Sequence, residues 1–350
     1  MTDRLDPSDM AACRALLKGG SRTFHAASKV LPRRIADPAI ALYAFCRLAD
    51  DSVDLGNNRA AAVERLRDRL DRAYRGQPAN LAADRAFADV VARYSIPREL
   101  PEALLEGLAW DAEGRRYETL QELYAYAARV AGAVGAMMTL VMGQRAPEIV
   151  ARACDLGVAM QLTNIARDIG EDARAGRLYL PAAWLREAGI EPDTWLANPE
   201  FSPEIAAMVQ RLLDAADAMY ARATLGIANL PLSCRPGIYA ARALYAEIGR
   251  ELERGGLDSV SRRAVVSAER KFRVLARILA RLETEWMPAK EFAASGQILE
   301  TWFLVEAVAA TPAPQREPKV RAKPIEDRVV WVIDLFAKLE RRDQMLRSRV

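Results

Sequence analysis

The chain has 350 residues, 51% hydrophobic and 28% charged, with 50 Lys and Arg against 47 Asp and Glu for a formal net charge of +3. That near balance suits a globular enzyme and argues against a dedicated nucleic-acid binder. A single histidine, His25, excludes histidine-rich metal sites and Glu-x-x-His di-iron bundles, and four cysteines without C-x-x-C spacing exclude a zinc site or a disulfide framework.

Alanine, leucine, arginine and glutamate dominate, and no alternating β-branched stretch occurs, so the sequence predicts an all-α fold. A first helix is expected over Pro7 to Lys18, stopping at Gly19-Gly20, and a second opens at Ser21 and runs towards Leu31-Pro32. Asp37-Pro38 reads as N-cap and first turn of a third, which ends at Leu55-Gly-Asn-Asn58. Ala60 to Tyr74 is amphipathic with alternating charges, a solvated outer face. Further helices are expected at 81–94, 98–113, 120–142 and 148–169, after which Gly170 to Pro181 reads as a flap-like loop. Gly189 to Pro203 is a surface connection, and helices resume at 203–227, 236–254, 261–285 and 291–309.

Three regions follow: 1–310, a helical body; 311–324, a Pro-rich basic linker; and 325–350, an amphipathic terminal helix. From Thr311 onward the basic residues exceed the acidic by four, so the chain's positive excess lies in this tail. Docking on the body or on another copy is one use for such a helix, and peripheral contact with anionic lipid is the other. The first residues lack an apolar h-region, and the weakly polar run Val130 to Gly143 is too short to span a bilayer. A cytoplasmic protein is expected, with any membrane contact peripheral; the oligomeric state is open.

Two stretches carry the chemistry. Tyr43-x-x-Cys46-Arg47-x-x-Asp50-Asp51-x-x-Asp54 and Gln161-Leu-Thr-Asn164-Ile-x-Arg167-Asp168-x-x-Glu171-Asp172 each place acids four apart in a helical pattern. Residues so spaced share one helix face about 6 Å apart, and like charges there weaken an isolated helix. Repeating this twice calls for a cation. Carboxylate clusters suit Mg²⁺, with Mn²⁺ as the substitute, and Mg²⁺ commonly bridges carboxylates to phosphate oxygens. Such metals would let two acidic helices hold a diphosphate that the acids alone would repel, and would make it a better leaving group. Arg47, Arg167 and Arg177 beside the acids would hold phosphate oxygens directly. The bland reading of one such motif is an acidic helix surface; a second one, with Gln161 and Asn164 on a similar face, is far more specific.

These motifs, with Ser21-Arg22-Thr23-Phe24, Val130-Ala-Gly-Ala-Val-Gly135, Asp155-x-Gly157, Gly176-Arg177-x-Tyr179-Leu-Pro181, Tyr245-x-x-Ile248 and Arg262-Arg263…Lys271, resemble the squalene/phytoene synthase family of head-to-head prenyl synthases, and its bacterial phytoene-forming branch above all. Arg22 and Thr23 are mild departures, where lysine and serine are common, and the resemblance covers roughly Arg14 to Leu279. It implies a single-domain isoprenoid-synthase bundle around a central cavity. Two geranylgeranyl diphosphates would join there through a cyclopropyl intermediate, prephytoene diphosphate, and yield phytoene without NADPH. By matching position, Asp50, Asp54, Asp168 and Asp172 would hold Mg²⁺, supported by Asp51 and Glu171. Ser21, Arg22, Tyr43, Arg47, Gln161, Asn164, Arg167, Arg177, Tyr245 and Arg263 would contact diphosphate or shape the site. Phe24, Tyr126, Val130 and Ala131 would line the cavity, and the small Ala131, Gly132 and Gly135 would leave room for two tails. Tight helix packing is the competing reading of those glycines.

The runner-up activity joins two farnesyl diphosphates into presqualene diphosphate, squalene or dehydrosqualene. A non-catalytic scaffold relative is the different-class alternative; keeping both acidic sets with their arginines argues against it.

Overall fold

The computed structural model describes residues 5–20, 31–54, 59–281 and 296–314, and among these every regular element is a helix. The expected helix at Ser21–Pro32, the turn at Leu55–Asn58, most of the linker and the terminal helix lie largely or wholly outside the described residues.

In chain order the helices are α1 (Pro7–Gly20), α2 (Arg33–Asp54), α3 (Arg59–Tyr74), α4 (Ala82–Tyr94), α5 (Glu99–Ala112), α6 (Leu120–Val141), α7 (Pro147–Arg174), the short α8 (Ala182–Glu187) and α9 (Pro192–Ala197), α10 (Pro203–Ile227), α11 (Arg235–Arg254), α12 (Ala268–Arg281) and α13 (Trp302–Ala310). The axis is α7, whose 28 residues span about 42 Å and pack against α6, α10, α11 and α13. Its buried positions recur every three or four residues, from Ile149 and Val150 through Leu162 to Ala173. On α3 the same spacing buries Ala62, Val63, Leu66, Leu70 and Ala73, so this helix has a core face as well as a solvated one.

Several boundaries differ from local sequence signals, each for a tertiary reason. Pro38 lies inside α2, which begins at Arg33. The carbonyl that a proline at 38 leaves without its helical donor is that of Arg34, and it accepts a hydrogen bond from the Tyr94 hydroxyl at 3.2 Å. Likewise α7 does not stop at Gly170 but continues to Arg174. The segment after α11 crosses the helix there, Gly170 N–H donates to the Ser259 carbonyl at 3.0 Å, and a methyl group at 170 would collide with Val260 backbone. The glycine serves close approach. The true stop is Gly176, in the left-handed region at φ 77°. In the other direction, 261–267 is not helical and α12 opens only at Ala268.

The helix α6 carries a π-helical turn at Ala128–Gly132, between α-helical stretches Leu120–Ala127 and Ala133–Val141. Ala133 N–H reaches back five residues to the Ala128 carbonyl. Beginning at Leu120, this helix is long and apolar enough to cross a membrane, so burial decides its place: Ala127, Ala128, Ala133, Ala136 and Met137 are fully buried in the core. Added methyl groups at Gly135 and Gly157 would strike the backbones of Ala153 and Ala131 respectively. The glycines therefore let α6 and α7 touch backbone to backbone. That is the packing reading of Gly135, and it holds alongside the expected one, since Gly135 also lines the central cavity.

Candidate active site

Between α2, α5, α6, α7, α10 and α11 lies a cavity of 660 Å³. Its α7 wall runs from Ile149 through Gly157 and Gln161 to Arg167, nineteen residues or about 27 Å of one helix face. The α2 wall supplies Tyr43, Arg47 and Asp50, while Phe45 and Ala49 on the opposite face are fully buried, Phe45 stacked on Phe87 at 3.9 Å. One helix thus turns its apolar stripe to the core and its polar stripe to the chamber. Another cleft, 610 Å³ between α1, α3 and α4, has Arg85 paired to Asp9 and no part of either acidic motif.

The chamber is graded. One end gathers Arg47, Asp50, Asp111, Gln161, Asn164, Arg167 and Arg263; beyond Met160 and Val134 the walls are mainly apolar, ending in Ile149, Leu230 and Ile238. The polar exceptions there are Thr139, whose hydroxyl donates to the Gly135 carbonyl at 2.9 Å, and Arg152, 3% exposed and paired to the fully buried Asp155. Tyr43, Tyr126, Val130, Ala131 and Tyr245 also line the wall. Burial pushes the Tyr43, Tyr126 and Tyr245 phenols up, so all three stay neutral. Burial likewise raises the Cys46 thiol to about 12, which leaves no nucleophilic thiolate in the chamber wall.

At the polar end the acids are clasped by arginines. Arg47 holds Asp51, Nε to Oδ2 at 3.0 Å, with Asp50 3.6 Å away. Asp168 lies between Arg167, Nε to Oδ1 at 2.7 Å, and Arg263, 2.8 and 3.2 Å. Arg177 donates to Asp172 at 3.1 and 3.3 Å. Asp168 and Asp172 are 17% and 16% exposed, whereas Asp50 and Glu171, at 46% and 52%, face solvent at the mouth. Glu171 is 3.4 Å from Arg263. Burial would raise the Asp168 carboxyl, but its hydrogen bonds from Arg167 and Arg263 hold it below its ordinary range. Asp172 goes the other way, to about 6: burial raises it, the neighbouring Asp168 and Asp111 add to the rise, and Arg177 only partly offsets them. Among the described residues no three acids converge into an all-protein cage.

The family model described as squalene/phytoene synthase matches residues 17–270. The chain belongs to the squalene/phytoene synthase family. It is 52% identical over 306 residues to the phytoene synthase of Rhodobacter capsulatus, covering 86% of this chain and 90% of that one. Identity to the phytoene synthase of Cereibacter sphaeroides is 48% over 350 residues, 97% of this chain and 96% of the relative. Among solved structures, a ligand-bound dehydrosqualene synthase superposes with a TM-score of 0.72 at 31% identity, over 79% of this chain and 97% of that one.

Within this family member the motif residues do not all stand alike. Ser21, Arg22 and Phe24 lie outside the described residues. Asp54 is in the last turn of α2, and its side chain is not described. Asp51, Asp168 and Glu171 reach the chamber through the lining Arg47, Arg167 and Arg263, and Asp172 pairs with Arg177; none of these four acids nor Arg177 lines the wall itself. At the polar end, one acidic wall residue went unread in the sequence. Asp111 accepts hydrogen bonds from the Tyr126 hydroxyl at 2.8 Å and the Tyr179 hydroxyl at 2.7 Å, and the two phenol rings stack 5.2 Å apart. Its signal was the stripe Leu104, Leu108, Asp111 on α5, where an acid follows two chamber-facing leucines at helical spacing.

Proposed function

We propose that the protein condenses two geranylgeranyl diphosphates head to head, through prephytoene diphosphate, to phytoene. The observation that carries this reading is a long chamber with two arginine-clasped acidic helices at one end and an apolar interior. A diphosphate belongs at the first and a polyprenyl tail in the second. High identity to two proteins named phytoene synthase favours the C20 substrate; the dehydrosqualene synthase likeness keeps C15 condensation as the second reading.

Divalent metal fits the donor set: Asp50 and Asp54 on one helix, Asp168 and Asp172 on another, with Asp51 and Glu171 beside them. Mg²⁺ keeps waters and substrate oxygens among its ligands, so it needs no protein cage, and it supplies charge neutralisation of the leaving diphosphate. The chain's own residues do the rest. Arg47, Arg167 and Arg263 exchange their carboxylate partners for diphosphate oxygens, with Gln161 and Asn164 donating amide hydrogens beside them and Arg177 holding Asp172. The chamber excludes water from the allylic cation, and the neutral aromatic faces of Tyr43, Tyr126 and Tyr245 stabilise positive charge without trapping it. Because the hydrocarbon product belongs in lipid, a cytoplasmic enzyme with peripheral membrane contact is part of the same reading.

The test is diphosphate release from geranylgeranyl diphosphate by the purified protein. Release is expected with Mg²⁺, stops on chelation, and stops in Asp50→Ala and Asp168→Ala while helicity and melting temperature stay close to wild type. Release that survives chelation removes the metal from the reading, and loss of fold in both variants makes the acids structural.

A further inference from the structure

The family match ends at residue 270, yet the segment 296–311 is built into the wall that carries Tyr126. The turn Leu299–Thr301 packs on α7, the first stretch of α6 and its π-helical turn, and α13 packs on α5, α7 and the second stretch of α6. Buried polar groups pin both ends. The Gly296 carbonyl accepts from Arg152 at 3.0 Å and from Arg222, and both arginines share the fully buried Asp155. The Thr311 carbonyl accepts from Arg145 at 3.3 Å, and Arg145 also donates to the carbonyls of Tyr94 and Ser95.

Between these pins two side chains meet the π-helical turn. Leu304 is fully buried, and its Cδ1 lies 3.5 Å from where a Cβ at Gly132 would stand. Phe303 covers the Arg129 guanidinium, Cζ 5.1 Å from the ring centroid, and Trp110 lies 4.3 Å from the same carbon. Arg129 also pairs with Glu106 at 2.8 Å and donates to the Ala125 carbonyl at 3.0 Å. Trp110 immediately precedes Asp111, which accepts from Tyr126. A contiguous set of contacts therefore joins Phe303 to the chamber wall through Arg129, Trp110 and Asp111. A π-helical turn is an unfavourable local choice that persists where its surroundings over-determine it, often at functional sites.

We propose that Phe303 and Leu304 are positioning residues for the reaction: they hold Arg129 and the turn Ala128–Gly132, and so fix Asp111, Tyr126, Val130 and Ala131 against the substrate. This rests on the chamber being the condensing site. Phe303→Ala is expected to lower kcat about tenfold to a hundredfold, the range for a sub-ångström to ångström misplacement, with KM for geranylgeranyl diphosphate nearly unchanged. Phe303→Tyr, which keeps the aromatic face, restores kcat. Val308→Ala, at a buried position of α13 outside the Arg129 stack, lowers the melting temperature without lowering kcat. A second readout does not depend on turnover: amide hydrogen exchange over 124–133 should quicken in Phe303→Ala and not in Val308→Ala. If Phe303→Ala fails to fold, Phe303→Leu takes its place under the same criteria. Unchanged kcat and exchange in the Phe303 variant, or equal losses in Val308→Ala, overturn the proposal. Wild-type protein that turns over no prenyl diphosphate overturns the reading of the chamber instead, and exchange then decides whether the segment holds the turn.

Discussion

Asp111 shows what a single side chain does here. It receives two buried phenol hydroxyls, from Tyr126 and Tyr179, and burial keeps both phenols protonated as donors. Removing the acceptor leaves the two hydroxyls only each other, 3.4 Å apart, so one O–H loses its partner at about 1–3 kcal/mol for a buried unsatisfied group. Asp111→Ala should therefore lower the melting temperature more than Tyr179→Phe, which removes one donor and leaves its partner satisfied by Tyr126; equal shifts in differential scanning calorimetry would contradict the shared-acceptor geometry. At this scale the sequence was readable where spacing spoke. Asp50 lines the polar end of one chamber with Arg47, Gln161, Asn164, Arg167 and Arg263, and Asp168 is held beside it by Arg167 and Arg263. The stripe on α5 could have placed Asp111 on the wall but not shown its role, which depends on Tyr179, 68 residues away.

For whole helices, glycine and proline carried more than one message. Gly176 ends α7 as a left-handed stop, whereas Gly170 and Gly157 sit inside it because Val260 and Ala131 come against them. Pro38 likewise begins nothing, because Tyr94 reaches across to the carbonyl it leaves open. These outcomes are set by chain segments distant in sequence, so a local rule reads the residue type correctly and its purpose wrongly. The distinction has a sign. Gly157→Ala and Gly170→Ala should destabilise by about 1–3 kcal/mol, as overpacking does, and Gly170→Ala should also impair turnover by shifting the segment that leads to Arg263. Gly19, near the end of α1 with open space around its Cα, should gain up to about 1 kcal/mol on change to alanine. Chemical denaturation of the three variants checks this, and stabilisation at 157 or 170 would refute the close-approach reading.

The molecule as a whole joins six helices drawn from residue 33 to residue 254 around one graded cavity, with α13 closing over the wall from outside. Periodicity showed that the fold is helical, and the paired motifs showed what one end of a cavity would hold. Its depth was not legible, because the far walls at Ile149, Leu230 and Ile238 are ordinary apolar residues until the helices are brought together. Depth is what separates two C20 tails from two C15 tails, so product length is the most direct test of the account. Purified protein given equal geranylgeranyl and farnesyl diphosphate with Mg²⁺, with and without NADPH, should yield C40 phytoene by mass spectrometry in both conditions. A C30 hydrocarbon as the sole product, or a product that requires NADPH, would contradict it.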